Sequence, residues 1–444
     1  MYDLAVIGAG PGGYEAALQA GRMGKKVLLA EKQHIGGTCL NVGCIPTKTF
    51  LHSATILEHA RHADEFGVNV SGVTFDMAAV LARKNKIVAQ LTKGVAGMLK
   101  AAKVETVMGA ARITGIGKIE VDATPYEARH ILIASGSRPA APPIPGIDSP
   151  AVLDSTGMLN LDRVPESLTV IGGGVIGIEF ASFFASVGSK VTVIEMLDSI
   201  CPMIERDVVQ VLFRTLTKQK VAINTSARVE KIEGKTVTFA GKGGTKQVES
   251  ELILVATGRA PVVEGLGLDE MKIDYDRKGI KTDDAGKTNV ANIWACGDVT
   301  GRCLLAHSAT REGQVAVNNM FGMPDRMRYD AMPSVVYSHP EIASVGMTEA
   351  QAKEKGIAYR ASKKPLAVAG RYTVEHGPTP GVCKVIVGEE RGEILGVHMA
   401  GGGCSEMIWG AAALIEGEMR AVDTAQVIFP HPTISEAIKE TVGH

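Results

Sequence analysis

The feature that most constrains this chain is an internal repeat. Leu4, Val6, Ile7, Gly8, Gly10 and Gly13 recur, at a constant offset of 164 positions, as Leu168, Val170, Ile171, Gly172, Gly174 and Gly177. Glu15, Gly24, Lys26 and Glu31 recur as Glu179, Gly188, Lys190 and Glu195 at the same offset. Each copy reads as a short apolar strand, a G-x-G-x-x-G turn, a helix, and a second strand closed by an acid 18 positions after the last glycine. A parallel strand buried on both faces has this uninterrupted apolar character. The first glycine makes the tight turn, the second lets a pyrophosphate approach the backbone, and the third packs helix on strand. The helix N-terminus then faces the phosphates, and the acid can accept from the ribose hydroxyls. One chain with two such units carries two dinucleotide sites.

A length of 444 residues allows about three domains. The net charge of −1 gives no electrostatic reason to bind nucleic acid or a membrane surface. The most apolar stretch, 168–188, is interrupted by Glu179 and a glycine cluster, so it reads as strand, turn and buried helix and not as a membrane span. The seven cysteines are an odd number without the spacing of a secreted disulfide framework. With no basic or Arg/Ser-rich leader, a reducing cytoplasm is the expected compartment.

Cys39 and Cys44 bracket Leu-Asn-Val-Gly and precede Ile45, Pro46, Thr47 and Lys48. Positions i and i+5 of a regular helix point roughly 140° apart. A disulfide between them therefore requires a distorted backbone, and Gly43 supplies the freedom. Two readings stand at this point: a redox disulfide, or two reduced thiols in an ordinary loop. A nicotinamide does not exchange hydride directly with a disulfide, whereas a flavin can mediate between them. If the cysteines are a redox pair, FAD belongs in the first site beside them and a nicotinamide in the second. Glu195 would repel a 2′-phosphate, and the nearest downstream arginine is Arg206, so NAD is preferred over NADP.

Between the repeats, 51–100 has helical spacing and 103–133 alternates like a small antiparallel meander, ending in Ile131-Leu-Ile-Ala-Ser135-Gly136. The proline-rich segment 138–146 reads as the crossing into a second domain. That domain closes in the same manner, at Leu252 to Gly258-Arg259, and a further strand leads to Cys296-Gly297-Asp298. Asp298 either caps the following helix or holds flavin ribityl hydroxyls. From Tyr329 strands alternate with helices and no glycine fingerprint occurs, which reads as an α+β domain. It ends in His431-Pro432-Thr433-Ile434-Ser435-Glu436. Two flanking prolines and a glutamate five positions on would hold the imidazole as a base that makes a thiolate near pH 7.

These residues resemble the pyridine nucleotide–disulfide oxidoreductases along essentially the whole chain. The match runs through Gly8–Gly13, Gly37–Lys48, Gly172–Gly177, Cys296–Asp298, Leu304–His307, Pro333–Ile342 and His431–Glu436. The resemblance implies two Rossmann-like domains, for FAD and NAD, and a C-terminal α+β dimerisation domain. Its boundaries fall at 1–142 (FAD), 143–264 (NAD), 265–328 (returning to the FAD domain) and 329–444 (interface). It implies a catalytic set of Cys39 as the interchange thiol, Cys44 as the thiol against the flavin, Lys48 paired with Glu179, and His431 oriented by Glu436. His431 would act on the disulfide of the other subunit in a homodimer.

By the same resemblance the FAD set comprises Gly8, Gly10, Gly13, Glu31, Thr38, Lys48, Gly109, Ser135, Gly136, Asp298, Leu305, Ala306 and His307. The NAD set comprises Gly172, Gly174, Gly177, Glu179, Glu195, Val229 and Gly258. No metal is implied. Thr47 and Glu195 separate the chain from NADPH-dependent glutathione-type reductases and point to the dihydrolipoamide-oxidising branch. Its partners would be lipoyl-bearing acyltransferases of 2-oxo acid dehydrogenase complexes, or the lipoyl protein of glycine cleavage. The alternatives are an NAD(P)H-dependent reductase of another small disulfide, and a non-catalytic NADH-binding flavoprotein. The chain departs from the family at Cys296, in its short tail after Glu436, and over 366–380.

Overall fold

The run Tyr-Asp-Leu-Ala-Val-Ile forms strand β1 (Tyr2–Ile7), whose Leu4, Ala5 and Val6 are wholly buried in a computed structural model that describes residues 1–443. It lies between β2 (Val27–Glu31) and the long strand Thr124–Ile133, parallel to both. The helix α1 (Pro11–Arg22) covers one face with Ala16, Ala17, Leu18 and Ala20. The strand Ile293–Ala295 adds to the same sheet, parallel to Thr124–Ile133.

The second copy repeats this arrangement. Ser167–Ile171 runs parallel between Lys190–Ile194 and Leu252–Val255, with Ala222–Asn224 beyond. Its helix, Val175–Ser186, is buried over most of its length, which explains its nearly continuous apolar sequence.

The two glycine turns have the same shape. Gly8 and Gly172 take φ of +103° and +109°, and Gly10 and Gly174 cap their helices at φ −71° and −72°. A Cβ on Gly13 would stand 1.9 Å from the carbonyl oxygen of Gly8, and one on Gly177 would stand 2.0 Å from that of Gly172. Only glycine permits the helix to pack so closely on its strand. The variant Gly177→Ala is therefore expected to lose about 1–3 kcal/mol of stability, from forced overpacking. Urea unfolding beside the parent protein measures it.

From residue 329 onward, five antiparallel strands in the order Ser334–Val336, Ile342–Gly346, Ile394–Ala400, Val382–Gly388, Tyr359–Pro365 form a sheet. The helix Cys404–Glu416 packs its apolar face on it. The architecture is the expected pair of Rossmann-like sheets with a C-terminal α+β domain. One local expectation is corrected: Glu105–Met108 leaves the meander and joins β2 in parallel, at the edge of the first sheet. Its central partner there is the apolar β2, which outweighs the alternating pattern of the segment.

By compactness the chain forms two units. One comprises 1–49, 78–140 and 258–328; the other comprises 50–77, 141–257 and 329–443. No helix among the described residues is long and apolar enough to cross a membrane.

Candidate active site

The Cys39–Cys44 segment follows the left-handed Gly36, which starts the short helix α2 (Gly37–Val42). That helix stops at Gly43 (φ −139°, ψ −113°), and α3 (Cys44–Arg61) begins immediately. The break that a Cys-x4-Cys pair needs is thus at Gly43. A Cβ there would stand 2.9 Å from the carbonyl oxygen of Thr38, so the approach of the two turns depends on glycine. Asn41 ties α2 in place by donating to the carbonyls of Ile35 (3.0 Å) and Gly37 (2.9 Å).

The two sulfurs meet as thiols. A hydrogen bond to Cys44 pushes the Cys39 thiol up, burial adds to it, and the Lys48 ammonium acts in the opposite sense. The proton of Cys39 is therefore held tightly.

At the first dinucleotide turn, Glu31 Oε2 accepts from the Ala9 amide (2.7 Å), and Oε1 accepts from those of Gln33 (2.8 Å) and His34. At the second, Glu195 Oε2 accepts from Gly173 (2.6 Å) and Oε1 from Leu197 (2.7 Å). Both acids brace their own glycine turn, a role that spacing alone did not reveal. A carboxylate has about four acceptor positions, so capacity for ribose hydroxyls remains. Gly109 donates its amide to the Glu31 backbone carbonyl (2.8 Å).

The remaining candidates for the flavin lie on the same unit. Asp298 follows the strand Ile293–Ala295 and accepts from the Ser137 hydroxyl (2.5 Å). Arg259 Nε donates to that hydroxyl (2.7 Å) and lies 3.7 Å from Asp298. Ser137 and Arg259 thus orient Asp298, and neither was singled out from sequence. Their signal was weak: an arginine after a glycine turn, 122 positions from the serine it serves. Ser135 donates to the Val262 carbonyl (2.8 Å). Leu305 caps the helix Ala306–Met320, on which His307 lies. Cys296 is buried against Gly12 and works as an apolar filler.

A Cβ added at Gly10, Gly136, Gly174 or Gly258 would meet nothing within 4 Å, so the backbone is open at each of them. Open glycine turns, helix N-termini and braced acids fit dinucleotides at both repeats. Val229 is half-buried in the three-stranded sheet Arg228–Glu233, Thr236–Gly241, Gly244–Glu249. Gly258 belongs with the first unit, where its carbonyl accepts from Ala140 (3.0 Å). Glu179 is 4% exposed and accepts from the Tyr337 amide (2.9 Å).

The C-terminal dyad forms within the second unit. His431 Nδ1 lies 2.9 Å from Glu436 Oε1, and Glu436 Oε2 accepts from the Thr433 amide (3.0 Å). That amide, then His431, holds the Glu436 carboxyl below its ordinary value. With Nδ1–H donated to the carboxylate, Nε2 is the basic nitrogen. The His431 side chain is 79% exposed.

Comparison with known proteins agrees with this reading of the chain. Residues 2–313 match the pyridine nucleotide-disulphide oxidoreductase family, and 332–442 match the dimerisation domain of the same family. A dihydrolipoyl dehydrogenase of Bacillus subtilis is 41% identical, over 99% of this chain and 95% of its own. Among solved structures, LpdA from Mycobacterium tuberculosis superposes with a TM-score of 0.91 at 26% identity, covering 99% of this chain and 98% of its own. The HOCl-induced flavoprotein disulfide reductase RclA from Escherichia coli gives 0.87 at 31% identity, covering 99% of each chain. With its two dinucleotide turns, its cysteine pair and both domains accounted for, the chain belongs to the pyridine nucleotide-disulphide oxidoreductase family.

Proposed function

We propose that the protein oxidises dihydrolipoamide, carried on lipoyl groups of 2-oxo acid dehydrogenase or glycine-cleavage complexes, and reduces NAD to NADH. The observation that carries this reading is the pairing of two devices on one chain. One is a dithiol set at a glycine break; the other is an exposed, carboxylate-oriented imidazole. A thiol substrate needs both, since one supplies the disulfide to be attacked and the other removes the attacking proton.

In the resting form Cys39 and Cys44 are joined. His431 of the partner subunit takes a proton from dihydrolipoamide at Nε2, and Glu436 stabilises the imidazolium that results. The substrate thiolate attacks Cys39 Sγ, a mixed disulfide forms, and Cys44 leaves as thiolate. The second substrate thiol attacks the substrate sulfur of that mixed disulfide. It closes the lipoamide ring and releases Cys39, which takes the proton of that second thiol. Two electrons and two protons have then passed to the enzyme, one proton on His431 and one on Cys39. FAD at Gly8–Gly13 supplies the two-electron carrier between thiols and nicotinamide.

Asp298, fixed by Ser137 and Arg259, would hold the ribityl hydroxyls. Lys48 and Glu179 would supply the charged groups that the family resemblance implies, and Glu31 and Glu195 the ribose acceptors. The exposed Trp409 (71%) and Ile428 (92%) on the C-terminal domain suit burial against a second copy. We place the enzyme in the cytoplasm, whose reducing poise suits Cys201, Cys296, Cys303, Cys383 and Cys404 as thiols.

The likeness to RclA favours a second reading, an NAD(P)H-dependent reductase of another disulfide. Anaerobic NAD reduction by dihydrolipoamide, run beside NADPH and NADH oxidation by glutathione disulfide, separates the two. NADH formation in the first assay alone is expected. Activity only with glutathione disulfide would overturn the substrate assignment. A yellow folded protein silent in both would be the non-catalytic flavoprotein.

A further inference from the structure

Outside the redox centre, a cluster of three carboxylates surrounds the buried Lys384 on the strand Val382–Gly388. Its side chain is 3% exposed, and Nζ lies 3.0 Å from Glu205, 2.7 Å from Asp207, and in contact with Glu349. Burial alone would lower the lysine, but Asp207, Glu349 and Glu205 together raise it, so it stays charged. A buried ammonium with one carboxylate partner is already neutralised; three partners from two further elements make this a junction. Glu205 Oε2 also accepts from the Glu349 amide (2.9 Å).

Of the three acids, Glu205 stands apart, because it ends the segment that follows Glu195. That segment lies on the second glycine turn. Leu197 is held by the Glu195 carboxylate, Cys201 donates its amide to the Gly173 carbonyl (2.8 Å), and Ile204 closes on Cys201 (3.0 Å). A Cβ on Gly173 would stand 3.0 Å from Glu195 and 3.1 Å from Ile200, so the segment touches the turn itself. The segment 196–205 is therefore fastened at one end by Glu195 and at the other by the Glu205–Lys384 pair. Asp207, already inside the helix Arg206–Lys218, shares the lysine without belonging to the segment.

We propose that Glu205, held by Lys384 of the C-terminal domain, is a positioning residue that sets the segment 196–205 against the Gly172–Gly177 turn and so tunes dinucleotide affinity. The proposal rests on the reading of that turn as the NAD site. The C-terminal domain would then contribute to nucleotide binding as well as to dimer contacts.

The test uses the FAD-loaded enzyme and ADP-ribose, which carries the dinucleotide's adenosine and pyrophosphate but transfers no hydride. Calorimetric titration of Glu205→Gln is expected to show a Kd for ADP-ribose raised about tenfold, within the usual range for coupling between sites. KM for NAD should rise by the same factor, while kcat and KM for dihydrolipoamide stay within about twofold. Lys384→Met leaves the buried Glu205 and its neighbour Glu349 without this cation, while Asp207 keeps Lys363 (3.2 Å), and is a poor test on its own, since it endangers folding. Asp207→Asn removes the same charge from the cluster but not from the segment, and should change the Kd by less than about twofold. An unchanged Kd in Glu205→Gln, or an equal rise in Asp207→Asn, overturns the anchor. Failure of the parent enzyme to bind ADP-ribose overturns the anchor and the NAD-site reading together.

Discussion

Cys44→Ser should abolish dihydrolipoamide oxidation, by at least about 10³-fold in kcat, without loss of bound flavin. Serine preserves the size of the side chain and the helix start at position 44, so the Gly43 break and α3 remain. What disappears is the leaving group. Without Cys44 no resting disulfide exists for the substrate thiolate to attack, and electrons have no entry from dihydrolipoamide. Thiol titration gives a second readout. Two-electron reduction of the parent enzyme should expose two additional thiols, and reduction of the variant none. NADH oxidation by ferricyanide bypasses the dithiol and should continue within about twofold of the parent rate. Retained lipoamide turnover in the variant would sink the mechanism. Joint loss of both activities with loss of yellow colour would instead indicate a folding defect, which the flavin spectrum detects.

The legible parts of this protein were those governed by local chemistry. Gly13 and Gly177 could be read because a Cβ at either position would stand only 1.9 or 2.0 Å from a carbonyl oxygen, so no other residue fits there, and that demand repeats at one offset. The halt at Gly43 was legible because a disulfide cannot bridge i and i+5 on an intact helix. His431 and Glu436 were legible because five positions and two prolines leave the pair few arrangements. Other features depend on partners brought together only by the fold. Lys384 meets Glu205 across 179 positions, and Ser137 meets Asp298 across 161, so no window of sequence contains either pair. Glu31 and Glu195 illustrate a third case. Their type and spacing pointed to ribose hydroxyls, yet each also braces its own turn through backbone amides, which no side-chain pattern records. The parallel placement of Glu105–Met108 was hidden for a similar reason, since its apolar partner β2 lies more than 70 positions earlier.

His431→Gln is expected to lower dihydrolipoamide oxidation by about 10²–10⁴-fold at neutral pH, the usual contribution of a positioned base. Glutamine preserves a polar side chain of similar reach but cannot take the proton. Glu436 is ionised over the whole assay range. A carboxyl depressed in the folded state contributes stability above its unfolded value, near 4.3, and loses it only as pH falls through the lower folded value. The lost rate should therefore return from the alkaline side. With no base, the reaction depends on substrate already ionised, and the rate should climb about tenfold per pH unit until the thiol itself titrates. A flat profile would mean that His431 does not deprotonate the substrate.

The same variant tests the subunit arrangement. If His431 serves the disulfide of its partner, a dimer of one Cys44→Ser and one His431→Gln subunit holds one site with both defects and one with neither. Random reassortment of equal amounts should then restore about a quarter of parent activity. If His431 serves its own subunit's disulfide, every site carries one defect and the mixture stays as inactive as its components. The 79% exposure of the imidazole, and a dyad that consumes only Nδ1, are what a base presented to another surface requires.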